Sequence, residues 1–206
     1  MPDARELPTT DDLKKLPLGA IVAYAARCAR RVQPLYGCAA GAAESRKHEA
    51  AVEGAISVAE DFCLSHDVSV PAYGAAYAAR DAADTTAAQD AARAAAAAAR
   101  AAAYAFDLPK CAVYDRPVYT SRVAAEAVDA AEAAARAAER ATGSATAVEA
   151  AARADFDRLS ELNQGTYPEL GQPIDATKNG PLGPLWPEGP PEWFATVTPA
   201  PRMKTT

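Results

Sequence analysis

Residues 86–106, TAAQDAARAAAAAARAAAYAF, decide the fold of this chain. Fourteen of these 21 residues are alanine, which has the highest intrinsic helix propensity and loses no side-chain entropy on folding. Over the whole chain, 56 of the 206 residues are alanine, and 39 of them lie between positions 51 and 150. We therefore expect an all-α protein whose helices approach each other closely, because alanine side chains add little bulk.

Apolar residues recur at i, i+3, i+4 and i+7 on both sides of this stretch, which predicts a bundle of about six helices. The predicted helices cover residues 17–35, 45–65, 72–106 with a break at 84–86, 121–141, and a last one around 148–162. Pro34 is expected to end the first helix, Thr85 or Thr86 to cap the helix after the break, and Thr120 or Ser121 to cap the helix that follows. Residues 107–119 are expected to be irregular.

The helix at 86–106 is expected to lie at the centre of the bundle. Beyond its first turn, only Arg93, Arg100 and Asp107 keep a polar stripe, at intervals of seven residues. A helix with so narrow a polar face is surrounded by other helices.

The two ends of the chain differ from the bundle at residues 17–163. Residues 1–16 are polar and predict an N-terminal arm. Residues 164–206 hold nine of the 16 prolines and both tryptophans. Because proline disrupts helices and central strands, we expect neither within residues 180–194. We expect an extended strap packed on the bundle, which supplies the large apolar groups that an alanine core lacks. A free docking peptide is the alternative, since proline-rich segments lose little entropy on binding.

A resemblance rests on two segments of the chain. Ala26-Arg27-Cys28-Ala29-Arg30-Arg31-Val32 in the first helix, and the segment GPLWPEGPPEW at residues 183–193, resemble alanine-rich helical proteins of GC-rich, planctomycete-like bacteria. The resemblance covers about a quarter of the chain. No activity is attached to that group, so the resemblance implies a bacterial origin and carries over no functional residue.

Charge and composition exclude several classes of partner. The net charge of −6 and the pI of about 5.0 argue against nucleic acid, because an acidic surface repels phosphate. Arg93 and Arg100 interrupt the longest alanine runs, so no membrane span is expected. The polar N-terminus and the four scattered cysteines predict a cytoplasmic protein with reduced thiols.

Three arginines of the first helix, Arg27, Arg30 and Arg31, are candidate binding residues for a phosphate or an acidic partner segment. The alternative is a solvated helix face balanced by acidic residues of neighbouring helices. Cys63 and His66 have the spacing of two metal ligands but lack further donors, so no metal and no cofactor are predicted. Catalytic motifs are also absent from the sequence, and no catalytic residue is predicted.

The sequence therefore favours a non-enzymatic protein–protein interaction or adaptor module. Its partner would be another protein or, in a homo-oligomer, a second copy bound through flat alanine faces. The alternative is a ligand-binding or enzymatic pocket between the 107–120 loop, the arginines of the first helix and the strap. Tyr114 and Tyr119 would line that pocket, and Trp186 and Trp193 of the strap are further candidate binding residues. A pocket with convergent polar groups favours the alternative, whereas an exposed apolar patch favours protein binding.

Overall fold

A computed structural model describes residues 6–39, 45–67, 72–84, 89–162 and 165–197. Within these ranges all regular structure is helical and no strand occurs, which confirms the all-α class. The α-helices are α1 (Thr10–Leu13), α2 (Leu18–Ala39), α3 (Ser45–Ser65), α4 (Ala72–Asp84), α5 (Gln89–Asp107), α6 (Arg116–Thr142), α7 (Thr146–Glu161) and α8 (Glu192–Val197). A short 3-10 turn, Leu108–Lys110, follows α5.

Helix α5 lies at the centre, in contact with α2, α3, α4 and α6. Every alanine of α5 is buried, so the narrow polar stripe did predict its central place. Alanine methyl groups stabilise little individually, and close approach of the helix backbones compensates for their small area. Larger side chains that are fully buried in the core include Tyr24 of α2 and Ile56 and Phe62 of α3.

The predicted break at 84–86 agrees with the end of α4 at Asp84 and the start of α5 at Gln89. The caps expected at Thr85 or Thr86 lie outside the described residues. Among the residues that are described, no helix combines the length and the hydropathy needed to cross a membrane.

The segment expected to be a polar arm contains helix α1. Thr9 and Asp12 form a reciprocal capping box at its start, and Leu13 is fully buried. Hydrogen bonds from Lys15 and then Thr9 lower the pKa of Asp12 to about 2. The polar residues thus hold a short helix that inserts Leu13 into the core, where α1 contacts α6.

Two predicted helix ends are wrong. Helix α2 continues through Pro34 to Ala39, although proline cannot donate the hydrogen bond of its turn. Burial of Leu35 and Tyr36 just after Pro34 offsets that loss. Helix α6 begins at Arg116 rather than after a cap at Thr120, because Pro117 suits a first helical turn. The Thr120 hydroxyl instead donates to backbone carbonyls of the preceding turn.

Residues 165–197, here called the C-terminal extension, lie against α2, α3 and α7. Gly19 donates its backbone N–H to Leu170 O at 2.9 Å, and Ile174 donates to Cys63 O at 2.7 Å. Ile174, Leu182 and Trp186 are buried. The expectation that residues 180–194 contain no helix is wrong at their end, since α8 begins at Glu192. Proline is absent from Glu192 to Val197, and an acidic residue in the first turn favours a helix.

Candidate functional site

Arg27 and Arg31 do not lie on a solvated face, so the alternative interpretation is wrong for these two arginines. Their side chains are 1% and 0% exposed, and the Asp155 side chain from α7 is 0% exposed. Arg27 Nε donates to Asp155 Oδ2 at 2.8 Å, and Arg31 Nη2 donates to the same oxygen at 2.6 Å. Two guanidinium groups therefore share one carboxylate inside the protein, which we call the buried arginine cluster.

The C-terminal extension supplies most of the backbone acceptors of the buried arginine cluster, and one more, Ala151 O of α7, accepts from Arg31 Nη2 at 3.2 Å. A buried charge is costly unless its hydrogen-bonding groups are satisfied. The guanidinium groups donate at 2.8–3.2 Å to backbone carbonyls of Ala176, Gly183, Pro184 and Leu185. Carbonyls in a proline-rich, non-helical segment have no helical partner of their own. These arginines thus bind an acidic side chain and a peptide segment, as their chemistry suggests, but both belong to the same chain.

Arg30 lies on the other side of α2 and contacts α3. Its guanidinium pairs with Glu53 and Glu60 of α3, each at 2.6 Å. This agrees with the alternative interpretation of a helix face balanced by neighbouring acidic residues. Arg30 therefore does not join Arg27 and Arg31 in one site.

Trp186 packs against the buried arginine cluster. It is 6% exposed, and the Arg31 guanidinium lies 5.8 Å from its ring centroid. Trp193 and Phe194 of α8 contact Trp186 edge-on, with centroids at 5.7 and 5.4 Å. The two predicted tryptophans are therefore brought together with Arg31, in a local apolar cluster of the extension.

Tyr114 and Tyr119 lie elsewhere. Tyr114 is 93% exposed before α6, beside Val113 at 71% and Val118 at 51%. We call Val113, Tyr114 and Val118 the apolar corner. The Tyr119 ring is half-buried and contacts Tyr104 edge-on at 5.6 Å, and the neighbouring Cys111 raises the pKa of its hydroxyl. Neither of these tyrosines lines either of the two cavities below, so the predicted pocket between them, Arg27 and the extension is not formed by those cavities.

The larger of the two cavities, of about 530 Å³, lies among α4, α5 and α6. Its lining residues follow helical spacing on each helix, and we call this cavity the tyrosine–arginine groove. The floor consists of Ala76, Ala96, Ala97 and Ala133, and the walls consist of Tyr73, Tyr77, Arg80, Arg93, Arg100, Tyr104, Asp129 and Arg136. Short alanine side chains between long tyrosine and arginine side chains produce the depression.

One end of the groove is cationic. The Asp90 side chain is 2% exposed and contacts three arginines. Arg93 and Arg136 lie 3.8 and 3.6 Å from its Oδ1, and Arg140 lies 2.5 Å from its Oδ2. Arg136 also contacts Glu132 at 3.3 Å. Three guanidinium groups thus converge on two carboxylates, of which only Asp90 is shared by all three.

The other end of the groove is aromatic. Tyr73 and Tyr104 contact edge-on, with centroids 5.8 Å apart at 80°. Burial and then the charge of Asp107 raise the pKa of the Tyr73 hydroxyl well above its usual range. The Tyr104 hydroxyl accepts a hydrogen bond from Arg122 at 2.9 Å. Both rings are therefore held in place by contacts with their neighbours.

The sequence analysis missed most of this groove. It identified Arg93 and Arg100 only as the polar stripe of a central helix. A matching signal exists on α4, where Tyr73, Tyr77 and Arg80 occur at i, i+4 and i+7 and therefore share one face. Which face of α4 meets the stripe of α5 depends on tertiary packing, which these spacings do not determine.

A second cavity, of about 340 Å³, lies between α7 and the stretch from Trp186 to Glu192. Its walls are alanines of α7 on one side and a proline-rich turn on the other.

Cys63, one of the two residues with metal-ligand spacing, is buried, and desolvation lowers the pKa of His66, the other one. No group of three or more metal-binding side chains occurs in the described part of the chain.

Compared with known protein families, with curated proteins and with solved structures, the chain matches none of them. No function is therefore carried over from a relative.

Proposed function

We propose that the protein is a non-enzymatic protein–protein interaction module and that the apolar corner is its contact surface. One observation carries the proposal: three large apolar side chains, Val113, Tyr114 and Val118, are 71%, 93% and 51% exposed within six residues of chain. Clustered exposed apolar side chains in a water-soluble bundle are typical of interaction sites, and tyrosine is enriched among the residues that contribute most to binding.

The apolar corner has a rigid base. It joins the 3-10 turn after α5 to the first turns of α6, and Tyr119 next to it contacts Tyr104 of α5. A surface held by two core helices loses little entropy when a partner binds. Self-association through flat alanine faces is the less supported form of the proposal, because the alanines of α5 are all buried within the bundle.

The role of the C-terminal extension belongs to the same proposal. We infer that it acts as an intramolecular strap rather than as a docking peptide. Its carbonyls accept hydrogen bonds from Arg27 and Arg31, and Leu182 and Trp186 are buried. A docking peptide needs those groups free, so partner binding is assigned to a different surface.

The test is co-purification of tagged full-length protein from its native cells, with wild type compared with the variant Val113→Ser, Tyr114→Ser, Val118→Ser. Glu139→Ser on the exposed face of α6 is the control. We expect the triple variant to lose a partner that wild type and control retain, with an unchanged melting temperature. The mass of the purified protein, measured by light scattering, shows whether the partner is a second copy of the chain or another protein. Equal recovery of the same proteins with all three chains contradicts the proposal.

A further inference from the structure

The tyrosine–arginine groove is separate from the apolar corner, and it has the shape and chemistry of a small-ligand site. Its volume of about 530 Å³ lies within the range of ligand pockets. Three helices line it, and alanines make its floor, so its shape is fixed by the core of the bundle. From Arg93 to Tyr104 it extends along twelve residues of α5, or about 16 Å of helix.

The walls of the groove are cationic in an acidic protein. Four arginines and one aspartate, Asp129, line the groove, whereas the whole chain carries a net charge of −6. Within the groove, Arg100 is paired with Glu126 at 2.8 Å, and Arg93 and Arg136 share the buried Asp90 with Arg140. Three arginines meet two carboxylates at this end, which leaves one positive charge in excess, so an oxyanion beside Arg93 and Arg136 is stabilised by charge-assisted hydrogen bonds.

The two ends of the groove differ in chemistry. Tyr73 and Tyr104 fix one end, while Arg93 and Arg136 meet at Asp90 at the other. Between them, Arg100 and the 64% exposed ring of Tyr77 offer flat surfaces. Tyrosine rings and guanidinium planes both stack on planar rings. A ligand that satisfies both ends at once carries a planar ring at one end and a phosphate-type oxyanion at the other, joined by a spacer that spans the groove.

We propose that the tyrosine–arginine groove binds a nucleotide-class ligand, with its phosphate groups at Arg80, Arg93 and Arg136 and its ring at Tyr73 and Tyr104. An acidic peptide is the competing occupant. It matches the cationic end but makes no use of the fixed aromatic pair.

Isothermal titration of the full chain tests the proposal with ADP, adenosine and inorganic pyrophosphate as separate ligands. We expect ADP to bind more tightly than either fragment by about tenfold or more, because it engages both ends. The double variant Arg93→Gln, Arg136→Gln should weaken ADP and pyrophosphate by about tenfold or more and leave adenosine unchanged. Tyr104→Leu should weaken ADP and adenosine and leave pyrophosphate unchanged.

Two further variants keep the test decisive. Arg153→Gln, which removes an arginine paired with Asp157 on α7, is the matched control and should bind ADP as wild type does. If Tyr104→Leu does not fold, Tyr77→Ala replaces it in the test, because the Tyr77 ring lines the groove and is 64% exposed. Absence of ADP binding at millimolar concentration, or ADP affinity retained in the double arginine variant, overturns the proposal. Tighter binding of hexaglutamate than of ADP also overturns it and assigns the groove to an acidic peptide.

Discussion

Replacing Asp155 by Asn should destabilise the protein far more than its single-atom change suggests. Asp155 is the carboxylate of the buried arginine cluster, and Arg27 and Arg31 lie 2.8 and 2.6 Å from its Oδ2. None of the three side chains is more than 1% exposed. Asparagine keeps the shape but removes the charge, so two buried guanidinium groups lose their only anionic contact in that cluster. Removal of one partner from a buried ion pair typically costs about 3–5 kcal/mol.

A matched control lies two residues away on the same helix. Asp157 pairs with Arg153 at 3.3 Å, but its side chain is 54% exposed. Exposed pairs contribute about 0–1 kcal/mol, so Asp157→Asn should change the free energy of unfolding by no more than that. The difference between the two variants isolates burial, since helix, residue type and charge change are the same.

Urea unfolding followed by circular dichroism at 222 nm gives the two free energies of unfolding. Tryptophan emission recorded on the same samples reports on Trp186 beside Arg31, and we expect Asp155→Asn to shift it to longer wavelength before the helices unfold. A loss below about 1 kcal/mol for Asp155→Asn, equal to that of the control, would refute the reasoning. It would mean that backbone carbonyls of the extension and of Ala151 suffice to hold both arginines.

Three other predictions concern the core and one histidine. Trp186→Ala should lower the free energy of unfolding in urea by about 3–5 kcal/mol. Trp193→Ala should lower it less, because Trp193 is only half-buried. Ala98 is fully buried in α5, so Ala98→Leu should lower the free energy of unfolding by about 1–3 kcal/mol through overpacking. An unchanged melting temperature would contradict the burial of Ala98. Desolvation lowers the pKa of His66 below its ordinary value of about 6.5, so the unfolded chain binds the proton more readily. Stability should therefore fall as the pH drops from about 7 through 6.5 towards the folded pKa. His66→Asn, which tolerates the left-handed backbone at φ 54°, should remove that dependence in pH-dependent melting, while His48→Asn should leave it in place.

Local patterns in the sequence predicted the bundle well. Helix α3 has the predicted bounds Ser45–Ser65, and α5 lies at the centre, because both properties follow from apolar spacing along one segment. The bacterial family resemblance and the cytoplasmic location stay predictions, as does the interaction function.

The buried arginine cluster was not predictable from spacing along α2. Arg27, Arg30 and Arg31 lie within five positions of one helix, and charged residues are exposed by default. Arg30 meets Glu53 and Glu60, while Arg27 and Arg31 are covered by an extension that begins more than 130 residues later. The tyrosine–arginine groove likewise depends on how α4, α5 and α6 pack, which no single helix encodes.

That the C-terminal extension belongs to the folded bundle is tested most directly by native-state hydrogen exchange. The amide of Ile174 donates to Cys63 O at 2.7 Å, and Ile174 is 2% exposed. We predict that this amide exchanges about as slowly as amides of α3, and that Asp155→Asn accelerates it. Exchange of Ile174 at the rate of an unstructured peptide, with α3 still protected, would contradict the claim and return the extension to the role of a docking peptide.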